Sequence, residues 1–210
     1  HAAITGYEDA LDVFEGKKIA ACAKHFIGDG GTAWETGSLQ EGMHTYKIDR
    51  GNTQLTEKEL RRIHLPPYLE AIKAGVKTIM ISYNSWNGVK CHGSKFLIND
   101  LLKSELNFEG LVVTDWAGID EIPGDYKSDI ITSINAGIDL VMVPGALYGN
   151  NHYKTFIELL KESVNEGAVP LSRIDDAVTR ILRVKYDLGL FDDPYGKVER
   201  TSQVGSDKNR

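Results

Sequence analysis

Thiols, long apolar runs and surplus basic charge are all scarce in this chain, and each shortage closes off a class of function. Cys22 and Cys91 are the two cysteines in 210 residues. Their separation matches no metal-ligand spacing, so both read as free thiols packing as small hydrophobes, and no metal site is expected. The longest apolar runs fall well short of the ~18 residues of a membrane span, so no membrane partner is expected. Lysine and arginine number 24 against 30 acids, a net charge of −6. The charges are well mixed, without the basic stripe that a nucleic-acid partner calls for. Residues His1 to Asp12 are mildly amphipathic and carry acids, unlike a charged-then-apolar leader. No signal peptide is read there, and the compartment is left open. The glycine-rich segment HFIGDGG holds Gly28, Gly30 and Gly31, which is not the dinucleotide fingerprint, and no phosphate-binding lysine loop occurs. No cofactor is expected.

What remains is a chain 41% hydrophobic, enough for one globular core. Residues 1–15 read as the tail of a helix, with Ala10, Leu11 and Phe14 at helical spacing and Gly16 as its stop. A strand of small apolar residues follows within 19–31, then a long polar loop over 32–54, of the kind that is usually functional. Thr56 and Glu59 have the spacing of a capping box, opening a helix through Leu60, Ile63, Leu69 and Ile72 that Pro66-Pro67 interrupts. Residues 76–83 read as a second buried strand and NSWNG as a turn. Ser94 caps a third helix with Leu97, Leu101 and Leu102 on one face. Residues 111–113 form a third strand, followed by a helix from about Asp129 to Ala136 and a fourth buried strand over 138–144. A helix from about Tyr153 to Asn165 comes next. The last helix takes Ser172 as its cap and Ile174, Val178, Ile181, Leu182 and Tyr186 as its apolar stripe. Residues 192–210 are charged and aperiodic, and read as a linker. Four rounds of strand, loop and helix argue a parallel sheet covered by helices, leaving an open sheet and a barrel both possible.

Three of the four strands end in chemistry: Lys24 and His25, Tyr83, then Asp115 and Trp116. The fourth ends Met142-Val143-Pro144, with nothing titratable. Aspartate is common as a cap in strand-to-helix loops, and Asp115 alone carries no more than that. In a parallel sheet or barrel, however, these strand ends converge on one face. Lysine and histidine donors suit the hydroxyls of a pyranose, and an indole face suits its C–H side. A carboxylate beside cationic Lys24 suits an oxocarbenium-like transition state. A second carboxyl group is then needed as acid. Glu35 and Glu41 on the long loop are the available candidates, without spacing that selects either.

The segments AACAKHFIGDGGT, IMISYNSWNGVKCHG, GLVVTDWAGID, AGIDLVMVP and VPLSRIDDAVTRILRVKYDLGLF resemble glycoside hydrolase family 3, in its β-glucosidase and β-glucan exohydrolase branch. The resemblance runs from about Ile19 to Pro194. The β-N-acetylglucosaminidase branch is set aside, because its KHFPGHG and downstream Asp-Ser-His triplet are missing. The resemblance implies a retaining, exo-acting enzyme that releases glucose from non-reducing ends of β-linked glucosides. Asp115 would be its nucleophile, Lys24 and His25 would hold the terminal sugar, and Tyr83 and Trp116 would line the same subsite. It also implies that residues 1–191 are the C-terminal half of a TIM-type (β/α)8 barrel, with about four parallel strands, incomplete alone. Residues 192–210 would lead toward an α/β sandwich domain supplying the acid/base glutamate. The remaining barrel strands would come from the same longer chain or a partner. A secreted or periplasmic location fits the resemblance. Two other expectations compete with the glycosidase: a non-catalytic carbohydrate-binding fragment or structural subunit, and a phosphorylase using phosphate in place of water.

Overall fold

Near-continuous apolar strands alternating with amphipathic helices do assemble as a parallel sheet with helices packed on it. A computed structural model describes residues 1–8, 19–37, 40–41, 44–144, 153–195 and 198–207. In chain order these form α1 (Ala2–Glu8), β1 (Cys22–Phe26), β2 (Gln40–Glu41), β3 (His44–Thr45), β4 (Asn52–Thr53), α2 (Glu57–Ile63) and α3 (Pro66–Lys73). Next come β5 (Thr78–Ile81), β6 (Ser85–Trp86), β7 (Val89–Lys90), a π-helix (Phe96–Glu105) and β8 (Leu111–Val113). α4 (Tyr126–Ala136), α5 (Tyr153–Asn165) and α6 (Leu171–Asp187) complete the helices that matter here.

β5 lies between β1 and β8, parallel to both, with Ile79 opposite Ala23 on one side and Val112 on the other. Ile79, Ile81 and Val112 are fully buried, and the helices supply Leu60, Leu97, Ile98, Leu101 and Leu102 to the same core. Glu8 ties the N-terminal ends of the sheet together: its Oε1 accepts the N–H groups of Ala21 at 2.9 Å and Lys77 at 3.2 Å. Those amides start two adjacent strands, and a half-extended chain would otherwise leave them unpaired.

The fourth expected strand is not one. Residues 138–144 make a single parallel bridge, Leu140 to Val113, beside β8. The reason is Asp139. Its Oδ2 accepts the Val112 N–H at 2.8 Å, the donor that a neighbouring strand's carbonyl would use. Leu140 and Met142 are exposed and Ile138 is fully buried, although all three would share one face of a regular strand.

Other expectations are met or shifted by local chemistry. The Thr56–Glu59 capping box is present. The proline pair divides the helix it interrupts into α2 and α3, with Pro66 in the first turn of α3, where a missing N–H costs nothing. Ser94 does cap its helix, accepting the Leu97 N–H at 3.3 Å, but that helix is wound as a π-helix. α4 starts earlier than expected because Asp125 caps it through the Ser128 N–H at 2.8 Å. The polar loop over 32–54 carries short pairings: β2 with β3, and β4 in parallel with β6. Of the expected NSWNG turn, Asn87 and Gly88, both at positive φ, turn the β6–β7 hairpin, while Ser85 and Trp86 are β6 itself. α6 begins at Leu171 with Pro170 before it, so Ser172 is not its cap. Its buried residues are Ala177 and Val184, whereas Val178, Leu182 and Tyr186 of the expected stripe are exposed. The face that meets Leu111 and Val113 keeps Ile181 of that stripe and adds Val184 and Leu188, also at helical spacing. Ala10, Leu11 and Phe14 lie outside the described residues. Residues 198–203 form a 3₁₀ helix within the expected linker. Both cysteines are free; Cys91 is buried as expected, and Cys22 is exposed on the outer strand β1.

An ion network fastens α6 and the π-helix to the sheet. Lys103 donates to Asp139 at 2.7 Å and to Asp176 at 3.3 Å, and Arg173 bridges the same two carboxylates. Arg180 reaches Asp176 at 2.9 Å and the Phe108 carbonyl at 2.7 Å. Burial works to raise the Asp176 carboxyl, but Arg180, Lys103 and Arg173 outweigh it and hold it at about 2. Asp139 side-chain exposure is 0%. Removing its charge would leave buried Lys103 and half-buried Arg173 to Asp176 alone and weaken the acceptor of the Val112 N–H. Asp139→Asn is therefore expected to destabilise the fold by about 3 kcal/mol, measured by denaturant unfolding. A loss under about 1 kcal/mol would contradict this account.

Candidate active site

The C-terminal ends of β1, β5 and β8 meet, and two of the chemical side chains predicted there touch. β8 ends at Val113, and the chain turns sharply through Thr114, which is fully buried and donates its N–H to the Leu140 carbonyl at 3.0 Å. Asp115 follows with its side chain 17% exposed. Its Oδ1 accepts the Trp116 N–H at 2.7 Å, and its Oδ2 lies 3.3 Å from His25 Nε2. His25 comes from β1, and its Nδ1 lies 3.9 Å from Asp29, so this imidazole sits between two carboxylates. The sequence reading puts Lys24 beside Asp115. Among the described residues the basic partner of Asp115 is His25, whereas exposed Lys24 lines the wall of a cavity. That cavity, of ≈ 700 Å³, runs along the outer side of β1 and also takes in His25, Asp29, His64 and Tyr68. Both side chains border this cavity, and His25 is the one that also reaches Asp115.

Tyr83 is half-buried, with the Arg50 guanidinium 4.4 Å over its ring. Trp116 is 47% exposed, leaving an indole surface beside the carboxylate. Glu35, a candidate acid, is turned to solvent and pairs with Lys47 at 3.2 Å. The side chain of Glu41 lies outside the described residues. Among the described residues no group of three His, Cys, Asp or Glu side chains is placed to hold a metal ion, and no helix is long and apolar enough to cross a membrane.

Four further residues complete the geometry. His92 is fully buried, and its Nε2 accepts the Asp115 N–H at 3.0 Å. Burial, reinforced by Lys90 and His25, pushes its pKa down to about 3, so the ring stays neutral. Glu121, from the loop that follows Asp115, pairs with Arg50 and with Lys90 at 2.8 Å. Lys90 also donates to the Tyr83 carbonyl at 3.2 Å. Three loops, each following a different strand, are thereby clasped around Tyr83. A signal for His92 existed: the Asn87-Gly88 turn sends the chain back toward the strand ends, returning His92 to Asp115. The Arg50–Glu121 pair, 71 residues apart, had none.

A carboxylate, an imidazole and two aromatics thus gather at the C-terminal ends of parallel strands, the edge where α/β scaffolds place their sites. Residues 2–184 match the glycosyl hydrolase family 3 N-terminal domain, and the chain belongs to that family. It is 38% identical over 205 residues to a lysosomal beta glucosidase of Dictyostelium discoideum, covering 92% of this chain and 23% of that protein. It is 32% identical to a beta-xylosidase of Formosa agariphila, over 94% of this chain and 26% of that one. Among solved structures, a beta-glucosidase of Listeria innocua in complex with gluconolactone superposes with a TM-score of 0.82 at 30% identity, over 100% of this chain and 27% of that one. An exo-1,3/1,4-beta-glucanase of a Pseudoalteromonas species gives 0.75 at 36% identity, over 94% and 23%. The chain therefore spans about a quarter of the length of these relatives.

Below the Asp115 loop, one buried carboxyl carries a pH signature. Burial first, then Asp120 and Asp125, push Asp129 up from 3.8 to about 6. The folded chain thus holds this proton more tightly than the unfolded chain does. Stability from Asp129 is fullest below pH ~4 and falls as pH rises toward ~6. Asp129→Asn, which keeps the shape without the charge, is expected to raise the melting temperature relative to wild type at pH 7 but not at pH 4. The gain corresponds to about 2 kcal/mol. A difference that stays constant with pH would exclude the buried-acid reading.

Proposed function

We propose that this chain carries the nucleophile portion of a retaining β-glucosidase or β-glucan glucohydrolase acting from non-reducing ends. The observation that carries the reading is the Asp115 carboxylate, turned by its neighbour's N–H and by His25 toward the face where three strand ends meet. Asp115 attacks the anomeric carbon, and the glycosidic C–O bond breaks with its electron pair leaving on the aglycone oxygen. An acid outside this chain protonates that oxygen. Water then attacks the same carbon, releases the sugar with its original anomeric configuration, and restores the carboxylate. Lys24 and His25 hold the hydroxyls of the terminal sugar, and Tyr83 and Trp116 line its apolar side. Family membership and the names of the relatives support this substrate class; one Listeria structure holds glucose and another laminaribiose.

The scaffold is proposed as the C-terminal half of a (β/α)8 barrel over residues 1–191, with 192–210 leading to a further domain. Support comes from the two uncovered sides of the sheet. The cavity beside β1 opens on one, and exposed Leu140 and Met142 stand on the other. Strands from the same longer chain or a partner would cover both, since bare edges invite aggregation. A secreted or periplasmic setting is proposed on the strength of family membership. The competing reading, a non-catalytic carbohydrate-binding fragment, draws on Glu35, whose pairing with Lys47 leaves Asp115 without a described acid partner.

In the full-length protein, Asp115→Asn is expected to lower turnover of an aryl β-glucoside by a factor on the order of 10³ or more while preserving the melting temperature. Undiminished turnover would reject Asp115 as the nucleophile. An inactive wild-type protein would favour the binding fragment.

A further inference from the structure

We infer that His92 is a positioning residue for Asp115, acting through the peptide N–H of the carboxylate it orients. The inference rests on Asp115 being the nucleophile and adds a residue to that site.

The geometry singles out this ring. Beyond Val113 the strand ladder has ended, and each amide of the turn needs its own acceptor. Thr114 gives its N–H to Leu140, and Ala117 gives its own to the Met142 carbonyl at 3.1 Å. The Asp115 N–H goes to His92 Nε2 at 3.0 Å. With Trp116 and Gly118 donating to Asp115 Oδ1 and to its carbonyl, the residue is held from three directions. Only Oδ2 is left to face His25. For Nε2 to accept, the ring's proton must sit on Nδ1. Burial keeps the ring neutral, so the acceptor is permanently available.

The loop is shaped to the imidazole. A Cβ at Gly118 would fall 2.3 Å from His92 Nε2, so only glycine can pass there. Ala117, just before it, takes the left-handed conformation at φ 52°, which bends the chain over the ring. The Tyr83 ring packs against the other side, 5.9 Å between centroids at 59°. One buried ring therefore gives both Asp115 and Tyr83 their reference position. The chain beside the ring is anchored from behind, whereas the buried Nδ1 has no hydrogen-bond partner among the described residues. Cys91 donates its N–H to the Asn84 carbonyl at 3.1 Å, and buried Asn84 donates to Ile27 and Thr53. This is the rigid support that a precise reacting geometry requires, since small misplacements of a reacting group are costly in rate.

The test compares His92→Gln, His92→Asn and His92→Phe in the full-length protein. A glutamine oxygen reaches roughly where Nε2 sits; an asparagine oxygen stops near Nδ1, and phenylalanine offers no acceptor. Wild type is first labelled with a 2-deoxy-2-fluoro aryl β-glucoside and the adduct located by peptide mass. Labelling at another residue would overturn the nucleophile assignment itself. With label on Asp115, the fraction of sites that label counts the active sites, and kcat per such site is measured on unlabelled protein with an aryl β-glucoside. His92→Phe and His92→Asn are expected to lose about tenfold in kcat with KM changed less than about twofold, and His92→Gln to recover most of it. A ring that only fills space would reduce the fraction of labelled sites and leave kcat per site unchanged, as would a fully active His92→Phe. Should the phenylalanine variant fail to fold, glutamine against asparagine decides. Equal kcat in those two would overturn the positioning role.

Discussion

The carboxylate of Asp139 is the constraint on which the arrangement turns. It accepts the Val112 N–H in the middle of β8 and, from the other side, the cations of Lys103 and Arg173. One buried charge thereby does three things. It takes the Val112 N–H on the free side of β8, beside the single bridge from Leu140 to Val113. It locks α6 and the π-helix onto the strand that carries the site. It also sets where the chain leaves β8, and hence where Asp115 begins its turn. A buried charge of this kind is tolerable only when fully surrounded by donors, as it is here.

Above that foundation the site is built from hydrogen-bond acceptors and charges that hold loops. His92 accepts the Asp115 amide; Glu121 gathers Arg50 and Lys90 around Tyr83. The groups that face the open cavity, His25 and Lys24, come from β1, the strand with an uncovered side. Orientation is supplied from the buried side and contact from the exposed side. Trp116 leaves aromatic surface exposed beside the Asp115 carboxylate.

Sequence signals are legible where the physics is local. The Thr56 capping box, the break at Pro66-Pro67, the turn at Asn87-Gly88 and the span of α5 all depend on neighbouring residues, and all stand in the structure. The structure departs from those signals where a distant partner intervenes. Residues 138–144 have a strand's composition, but Asp139 commits its carboxylate to Val112. α6 has an apolar stripe, but the sheet takes the face with Ala177 and Val184 and leaves Val178, Leu182 and Tyr186 exposed. The sequence puts Lys24 beside Asp115, but the structure brings His25 to that carboxylate and leaves Lys24 on the cavity wall.

By itself the sequence determined the class of fold, the family resemblance and the strand ends at which chemistry collects, because apolar period, glycine placement and motif order are carried by nearby residues. Only the tertiary structure decided which of those residues meet. It chose His25 over Lys24 as the neighbour of Asp115, brought His92 beneath it, and joined Arg50 to Glu121 across 71 positions. Distances of that kind are set by how strands stack and loops close, and no spacing along the chain encodes them.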